Sequence, residues 1–354
     1  MNDRVYLRPM ALLDGPDAGQ AVAAGRAGRL AAGTIAFTAL EVIERRGAAV
    51  HREVRAYGDV RASAEAGFAD RLEAIEAVRP DLPGLELSSP AVMGVVNVTP
   101  DSFSDGGRFA DAASAVAQGE ALAAAGADLL DVGGESTRPG SDATTVDEEL
   151  RRVLPVIEGL ARSKVPTSID TRKAPVMRAA VEAGAALVND VTALGHDPAG
   201  VETVRARGVP VMLMHSAGDP KTMQDNPTYD DVVLDVYDAL AGRVSACTGA
   251  GIARDRIVVD PGIGFGKTFA HNHEILRNLS VFHGLGLRVA LGVSRKAFIG
   301  ALSGEQAAGR RLAGSLAAAL VGVAQGVQIL RVHDVAETVQ AVRTQVGIWA
   351  DRSV

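Results

Sequence analysis

AVMGVVNVTPDSFSDGGRFADAASAVAQGEALAAAGADLLDVGG, residues 91–134, decides the fold. An apolar run, AVMGVVN, closes on Asn97, and a polar loop follows. An alanine-rich stretch with helical spacing then covers roughly 110–125 and stops at Gly126, before DLLDVGG brings a second apolar run past Asp131. Near-continuous apolar strands joined by helices belong to a parallel sheet covered on both faces.

Outward from this unit the pattern repeats. PTSID ends at Asp170, ALVND carries Asn189, PVMLMH ends at His215, RIVVD at Asp260, VALGVSRK at Lys296, and QILRVH holds Arg331 and His333. The intervening helices are predicted at roughly 146–162, 174–184, 198–207, 229–250, 272–280, 306–325 and 334–350. Eight strand–helix units with chemistry at the strand carboxyl ends predict an α/β fold, a (β/α)8 TIM barrel with its active site on the top face. The barrel is expected over 87–354. Residues 1–86 read as an appended N-terminal α+β region for packing or assembly, with strands in RVYLRPMAL and in TIAFTALEVIERRGAAVHREVRAY, a hairpin turn at Arg46-Gly47, and a helix in SAEAGFADRLEAIEAVRP.

Composition narrows the function. The 354 residues are 47% hydrophobic and 22% charged, with a formal charge of −7. That balance suits a folded enzyme and offers no basic footprint for nucleic acid. A lone Cys247 excludes an internal disulfide and any cysteine-rich metal site, which fits a reducing, cytoplasmic setting. The first residues lack a signal-like apolar core. LAGSLAAALVGVAQGVQILRV, 312–332, has the apolar character of a membrane span, but Gln325, Gln328 and Gly326 interrupt it. A buried helix feeding the last strand keeps the eightfold pattern intact, so no membrane association is expected.

Two connections are too polar and too long for simple turns: NVTPDSFSDGGRF (97–109) and GGESTRPGSDATT (133–145). Such loops on a barrel top are usually ligand clamps. Together NVTPDSFSDGG, DVGGESTRPG, SID, VND, LMH, DPGIGFGK, SRK and RVHD, in this order, resemble the dihydropteroate synthase family of pterin-binding barrels. The resemblance covers about 91–345 and says nothing of the N-terminal region.

The resemblance implies a transferase of folate biosynthesis and a sulfonamide target. Its reaction joins a 7,8-dihydropterin bearing a methyl diphosphate to 4-aminobenzoate and releases pyrophosphate. A buried carboxylate suits the paired N–H donors of a pterin edge, and Asp260 is the candidate, with Asp170 and Asn189 completing ring recognition and Lys296 donating to the ring carbonyl and nitrogen. Arg331 and His333, two apart on a strand, share a face; an Arg fork suits diphosphate. Asn97 is expected to ligate a Mg²⁺ there, with Asp105 as a second ligand. Met214 joins the substrate-binding set, and Phe103, Thr137, Arg138, Pro139, Phe265 and Lys267 are assigned to the aminobenzoate side. Asp131 and Asp170 are expected to shelter a cation developing at the pterin methylene. A homodimer through the last barrel helices also follows from the resemblance.

Other chemistries fail on spacing. HNHE at 271–274 lacks the second histidine of a zinc helix, and PGIGFGKT has Pro261 where a phosphate loop needs its first glycine. Gly262, Gly264 and Gly266 are expected to let the backbone pass close to a ligand. After SRK the family often has Ser, where this chain has Ala297, so sulfonamide affinity should shift by about one hydrogen bond, ~1 kcal/mol. Two rival readings are a methyltetrahydrofolate–corrinoid methyltransferase, which has no need of Arg331 with His333, and a non-catalytic barrel kept for assembly.

Overall fold

The computed structural model describes residues 4–98, 108–136, 143–218 and 222–350. The chain begins with β1 (Arg4–Leu13), α1 (Gly15–Ala23), β2 (Gly28–Arg29), β3 (Ala36–Arg46), β4 (Ala49–Ala56), α2 (Tyr57–Ala62) and α3 (Phe68–Glu76). β3 pairs antiparallel with β1 along one edge and with β2 and β4 along the other. The β3–β4 turn falls at Gly47, whose φ of 63° an L side chain resists. The sequence reading has no helix at α1, although its signals are present: Asp14 caps it and Pro16 opens it.

The barrel strands are β5 (Ala91–Asn97), β6 (Leu129–Gly133), β7 (Thr167–Asp170), β8 (Leu187–Asp190), β9 (Val211–Met214), β10 (Ile257–Asp260), β11 (Arg288–Gly292) and β12 (Ile329–Val332). They are parallel and closed, β12 pairing back onto β5. Around them run α4 (Arg108–Ala124), α5 (Val146–Leu160), α6 (Ala174–Glu182), α7 (Gly200–Arg207), α8 (Val232–Gly249), α9 (Phe269–Arg277), α10 (Ala297–Ser303), α11 (Leu312–Val323) and α12 (Val335–Trp349).

Period-two alternation sorts each strand. Leu130, Val132, Ile169, Val188, Leu213, Val259, Leu291 and Leu330 belong to the large core shared with the helices. The alternate set, Met93, Leu129, Leu187, Met212, Val258, Ala290 and Ile329, forms a separate apolar floor inside the barrel. Leu82 and Leu85, bridged to each other, close that floor from below. Burying two leucines there contributes about 2 kcal/mol each. The boundary expected at residues 86–87 therefore falls just after a segment that packs into the barrel.

Three helix boundaries differ from the sequence reading. The helix expected over 306–325 is the shorter α11, Leu312–Val323, and a separate helix, α10, stands before it and ends at Gly304 with φ 79°. The helix expected from 229 starts at Val232, because Asp231 caps it through the Leu234 N–H. The helix expected over 272–280 shifts back to α9, where Thr268 and His271 form a capping box. The apolar stretch 312–332 divides between α11 and β12, and among the described residues no helix is long and apolar enough to cross a membrane.

The N-terminal sheet lies against the barrel's flank. Ser280 donates to the Pro9 carbonyl at 2.8 Å, and Arg79 reaches the carbonyls of Leu287 (3.1 Å) and His283 (3.3 Å). Tyr6 stacks edge-on to Tyr237 of α8, ring centres 5.2 Å apart.

Candidate active site

The parity that builds the floor also aims the polar groups. Two residues beyond Leu129, Leu187, Met212, Val258 and Ile329 stand Asp131, Asn189, Met214, Asp260 and Arg331, so each floor residue is followed by a group facing the barrel mouth. Ala290 is followed by Gly292 instead. A methyl added at Gly292 would sit 3.8 Å from Lys296 Nζ, 3.8 Å from Arg331 Cβ and 3.9 Å from Asp260 Oδ2. One glycine thus leaves room between the Asp260 carboxylate, the Lys296 ammonium and the stem of Arg331, drawn from β10, the turn after β11 and β12.

Arg331 crosses the barrel interior. Its Nε donates to Asp131 Oδ2 at 2.6 Å, and Nη2 donates to Asp170 Oδ2 at 2.8 Å. Asp131 is 0% exposed and has both oxygens taken, Oδ1 by Ser168 at 2.5 Å and Oδ2 also by Asn189 Nδ2 at 3.0 Å. Arg331 thus bridges two buried carboxylates through Nε and Nη2, and both oxygens of Asp131 are met by protein donors. Asp131 is accordingly a positioning residue: by accepting from the Asn189 amide nitrogen it turns the Asn189 oxygen outward as an acceptor. Burial would lower the Arg331 pKa, but Asp131 and Asp170 together raise it. Burial pushes the Asp170 carboxyl up against the pull of Arg331.

Asp260 and Lys296 form the opposite wall. Asp260 Oδ1 accepts the Gly262 N–H at 2.7 Å, and burial raises its pKa despite nearby Lys296. Lys296 donates to the Ile263 carbonyl, and its ammonium lies 4.7 Å from the centre of the Phe265 ring. Burial lowers its pKa to about 8, Asp260 opposing and Arg331 assisting.

Every second peptide of the loop 261–267 is tied down. Gly264 donates to Asn272 (2.7 Å) and accepts from Gln224 (2.7 Å), while the Gly266 carbonyl accepts from Tyr229 (2.7 Å). The glycines at 262, 264 and 266 have φ of 68°, 85° and 62°. Their expected role needs correction: Gly262 passes against the His215 carbonyl and Gly266 against that of Ala217, protein backbone rather than ligand, while Gly264 faces Lys296. Lys267 is also corrected. It is 2% exposed, and its Nζ contacts His215 Nδ1 (2.8 Å) and the carbonyls of Gly262 (2.9 Å) and Phe265 (3.0 Å), which makes it an internal clip, not a channel wall. Burial pushes its pKa down to about 7. With the His215 carbonyl at 3.3 Å as a fourth acceptor, the surroundings more than match the three hydrogens of an ammonium, so the charged form fits the geometry. His215 then accepts at Nδ1 and stays neutral, its pKa driven to about 3 by burial and by Lys267.

His333 is held by Ser294, whose Oγ lies 3.1 Å from Nδ1 and accepts the His333 N–H at 3.2 Å. Next to them Arg295, at φ 59°, pairs with Asp334. Two sequence motifs, SRK and RVHD, are thereby stitched together at the mouth. Asn97 ends β5 and is half-buried. Phe103, Asp105, Thr137, Arg138 and Pro139 lie outside the described residues.

A sequence model of the family described as pterin binding enzyme matches residues 93–333. The chain is 47% identical over 260 residues to a dihydropteroate synthase of Escherichia coli K12, spanning 73% of this chain and 92% of that protein. The chain belongs to the pterin-binding enzyme family. Among solved pterin-binding enzymes, Xanthomonas albilineans dihydropteroate synthase with 4-aminobenzoic acid superposes with a TM-score of 0.74 at 49% identity, covering 78% of this chain and all of that one. The same enzyme in complex with 7,8-dihydropteroate gives 0.70 at 46% identity, covering 77% of this chain and 100% of that one. The family match takes in Asn97 through His333 and leaves the N-terminal sheet outside it.

Several residues around the pterin-binding enzyme's site escape the sequence reading. Ser168, inside β7, and Ser294, just past β11, orient Asp131 and His333, and their only signal was a hydroxyl in or after a strand. Glu135, buried, accepts from Arg172 (3.2 Å), Lys173 (3.0 Å) and the Thr144 N–H (3.0 Å). It ties both ends of the second polar loop to the residues following Asp170. Buried charge pairing of this kind is legible only once the strands are neighbours.

Proposed function

We propose that this protein is a dihydropteroate synthase, joining (7,8-dihydropterin-6-yl)methyl diphosphate to 4-aminobenzoate and releasing pyrophosphate. The observation that carries the reading is the convergence of Asp260, Lys296 and Arg331 on the space above Gly292. Asp260 accepts from the amino group and ring N–H of the pterin, which add to the one hydrogen bond its buried carboxyl takes from Gly262. The outward Asn189 oxygen accepts at the opposite ring edge, beside Asp170, and Met214 packs against the ring. Lys296 donates to the ring carbonyl and nitrogen.

The diphosphate lies toward His333, Asn97 and the outer N–H groups of Arg331. Among the described residues no three His, Cys, Asp or Glu side chains cluster as metal ligands. That donor set suits a cation that borrows substrate and water oxygens, as Mg²⁺ does. Mg²⁺ held by Asn97, with Asp105 as a second ligand, would neutralise the departing diphosphate.

In this reading the methylene C–O bond breaks first and pyrophosphate leaves with the electron pair. The cation left behind is delocalised into the pterin and faces Asp170, whose charge Arg331 shares. Asp131 acts one step removed, by holding Asn189 and Arg331. The aminobenzoate nitrogen then forms the C–N bond and loses its proton. Phe265 lines that subsite, together with Phe103, Thr137, Arg138 and Pro139 of the two polar loops. A homodimer through the last helices completes the reading; Leu302 of α10 and Val321 of α11 are 66% and 46% exposed. The cytoplasm is the compartment it implies, and the N-terminal region is assigned a packing role.

The test is pyrophosphate release from the dihydropterin diphosphate. It should depend on 4-aminobenzoate and fall by roughly 100-fold or more in Lys296→Ala and Arg331→Ala. Release that ignores aminobenzoate, or variants as active as the parent, would contradict the assignment.

A further inference from the structure

The N-terminal sheet lies outside the region matched by the family, yet it grips the part of the barrel that holds the glycine loop. Asp230, Asp231, Asp235 and Asp238 crowd the start of α8, and the last three share one helix face. Unpaired, those carboxylates would repel each other. Arg45 of β3 donates to Asp235 at 2.6 Å and lies 3.6 Å from Asp230 and Asp238; Arg52 of β4 donates to Asp231 at 2.5 Å. Tyr6 of β1 donates to Asp238 at 2.9 Å, where Arg4 also pairs.

The same carboxylates fix the backbone. Asp231 caps α8 by accepting the Leu234 N–H at 3.1 Å, and Asp235 Oδ2 accepts the N–H groups of Asp230 (2.9 Å) and Asp231 (3.3 Å). One residue earlier is Tyr229, whose hydroxyl donates to the Gly266 carbonyl at 2.7 Å and whose ring meets His271 edge-on at 5.0 Å. Gly266 has no slack, since a Cβ there would lie 2.6 Å from the Ala217 carbonyl oxygen. Its neighbour Phe265 faces Lys296.

We propose that the N-terminal sheet is a positioning element for the aminobenzoate subsite: Arg45 and Arg52 set the start of α8, and Tyr229 passes that placement to Gly266 and Phe265. This rests on the synthase reading, because only there does Phe265 line a substrate channel. Arg45 and Arg52 act through other groups and touch no substrate.

The test is steady-state kinetics on the full chain. Arg45→Met with Arg52→Met, and separately Tyr229→Phe, should each raise KM for 4-aminobenzoate by about three- to tenfold with kcat nearly unchanged. Combining them should give no more than the larger single effect, because both act on Gly266. Lysine at both arginine positions should restore most of the loss. If the methionine pair fails to fold, Asp231→Asn keeps a capping oxygen but loses the charge that Arg52 reads, and should show the same rise. An unchanged KM, or effects that multiply in the combined variant, would overturn the proposal. A parent protein without aminobenzoate-dependent pyrophosphate release would instead overturn the synthase reading.

Discussion

Lys296 shows how burial and charge set one side chain's task. Its ammonium is favoured by the Ile263 carbonyl, Asp260 and the Phe265 face, yet burial brings its pKa down to about 8. In the proposed function Lys296 donates to the pterin carbonyl and a ring nitrogen, which needs the protonated form. As pH rises through about 8 the free enzyme loses that proton, so pterin affinity should fall about tenfold per pH unit above it. Lys296→Arg stays charged and should bind more weakly but without that slope, which calorimetric titration from pH 6.5 to 9.5 can check; equal slopes would remove Lys296 from the site. The lysine itself was legible in SRK, and Asp260 in DPG. What the letters did not carry was pairing between residues 200 positions apart, which joins Arg331 to Asp131. Lys267 misled for a similar reason: a lysine after a glycine loop looks like a ligand contact until its internal acceptors are known.

At the scale of elements, the loop from Asp260 to Lys267 turns a strand end into a binding wall. Gly262 has φ 68°, and a Cβ there would fall 1.9 Å from the His215 carbonyl oxygen. Ala at that position meets a left-handed penalty of about 1–2 kcal/mol and a backbone clash besides. Gly262→Ala should therefore lose on the order of 3 kcal/mol of stability and most pterin affinity, read by thermal denaturation and by titration; a stable variant with parental affinity would show the loop is not rigid. The glycines were visible in DPGIGFGK, but close approach to a ligand and close approach to backbone leave the same letters. Strand ends were readable because period-two parity forces Val258 and Asp260 to one side. Element boundaries were less so. The caps at Asp231 and Thr268 moved two helix starts, and the N-terminal α1 lacked enough apolar periodicity to register.

For the whole molecule, burial of neutral histidines links folding to pH. His283 is fully buried where the N-terminal region meets the barrel; Nε2 donates to the Gln325 carbonyl at 3.0 Å and Nδ1 has no hydrogen-bond partner. Burial, with Arg79 nearby, lowers its pKa from 6.5 to about 4. Below pH 6.5 the unfolded chain takes up a proton that the folded one refuses until about pH 4. Stability is therefore lost as pH falls through that window, on the order of 3 kcal/mol by its lower end. His283→Gln keeps an N–H donor and cannot protonate, so its melting temperature should fall less between pH 6.5 and 4.5; parallel curves would assign acid sensitivity elsewhere. The global fold was the most legible feature, because eight repeats of one unit admit few closures. The junction was the least: nothing in residues 77–87 announces that Leu82 and Leu85 plug a barrel floor.

In the proposed function one mouth, ringed by Asp260, Asn189, Lys296, Arg331 and His333, encloses a pterin and its diphosphate. A crystal structure of the protein with a non-hydrolysable dihydropterin diphosphate analogue is the decisive test. The ring should lie above Gly292, its donor edge on Asp260 and the outward Asn189 oxygen, and the diphosphate toward Asn97 and His333. A ring bound in another cavity, or bound here with Asp260 and Lys296 untouched, would contradict it.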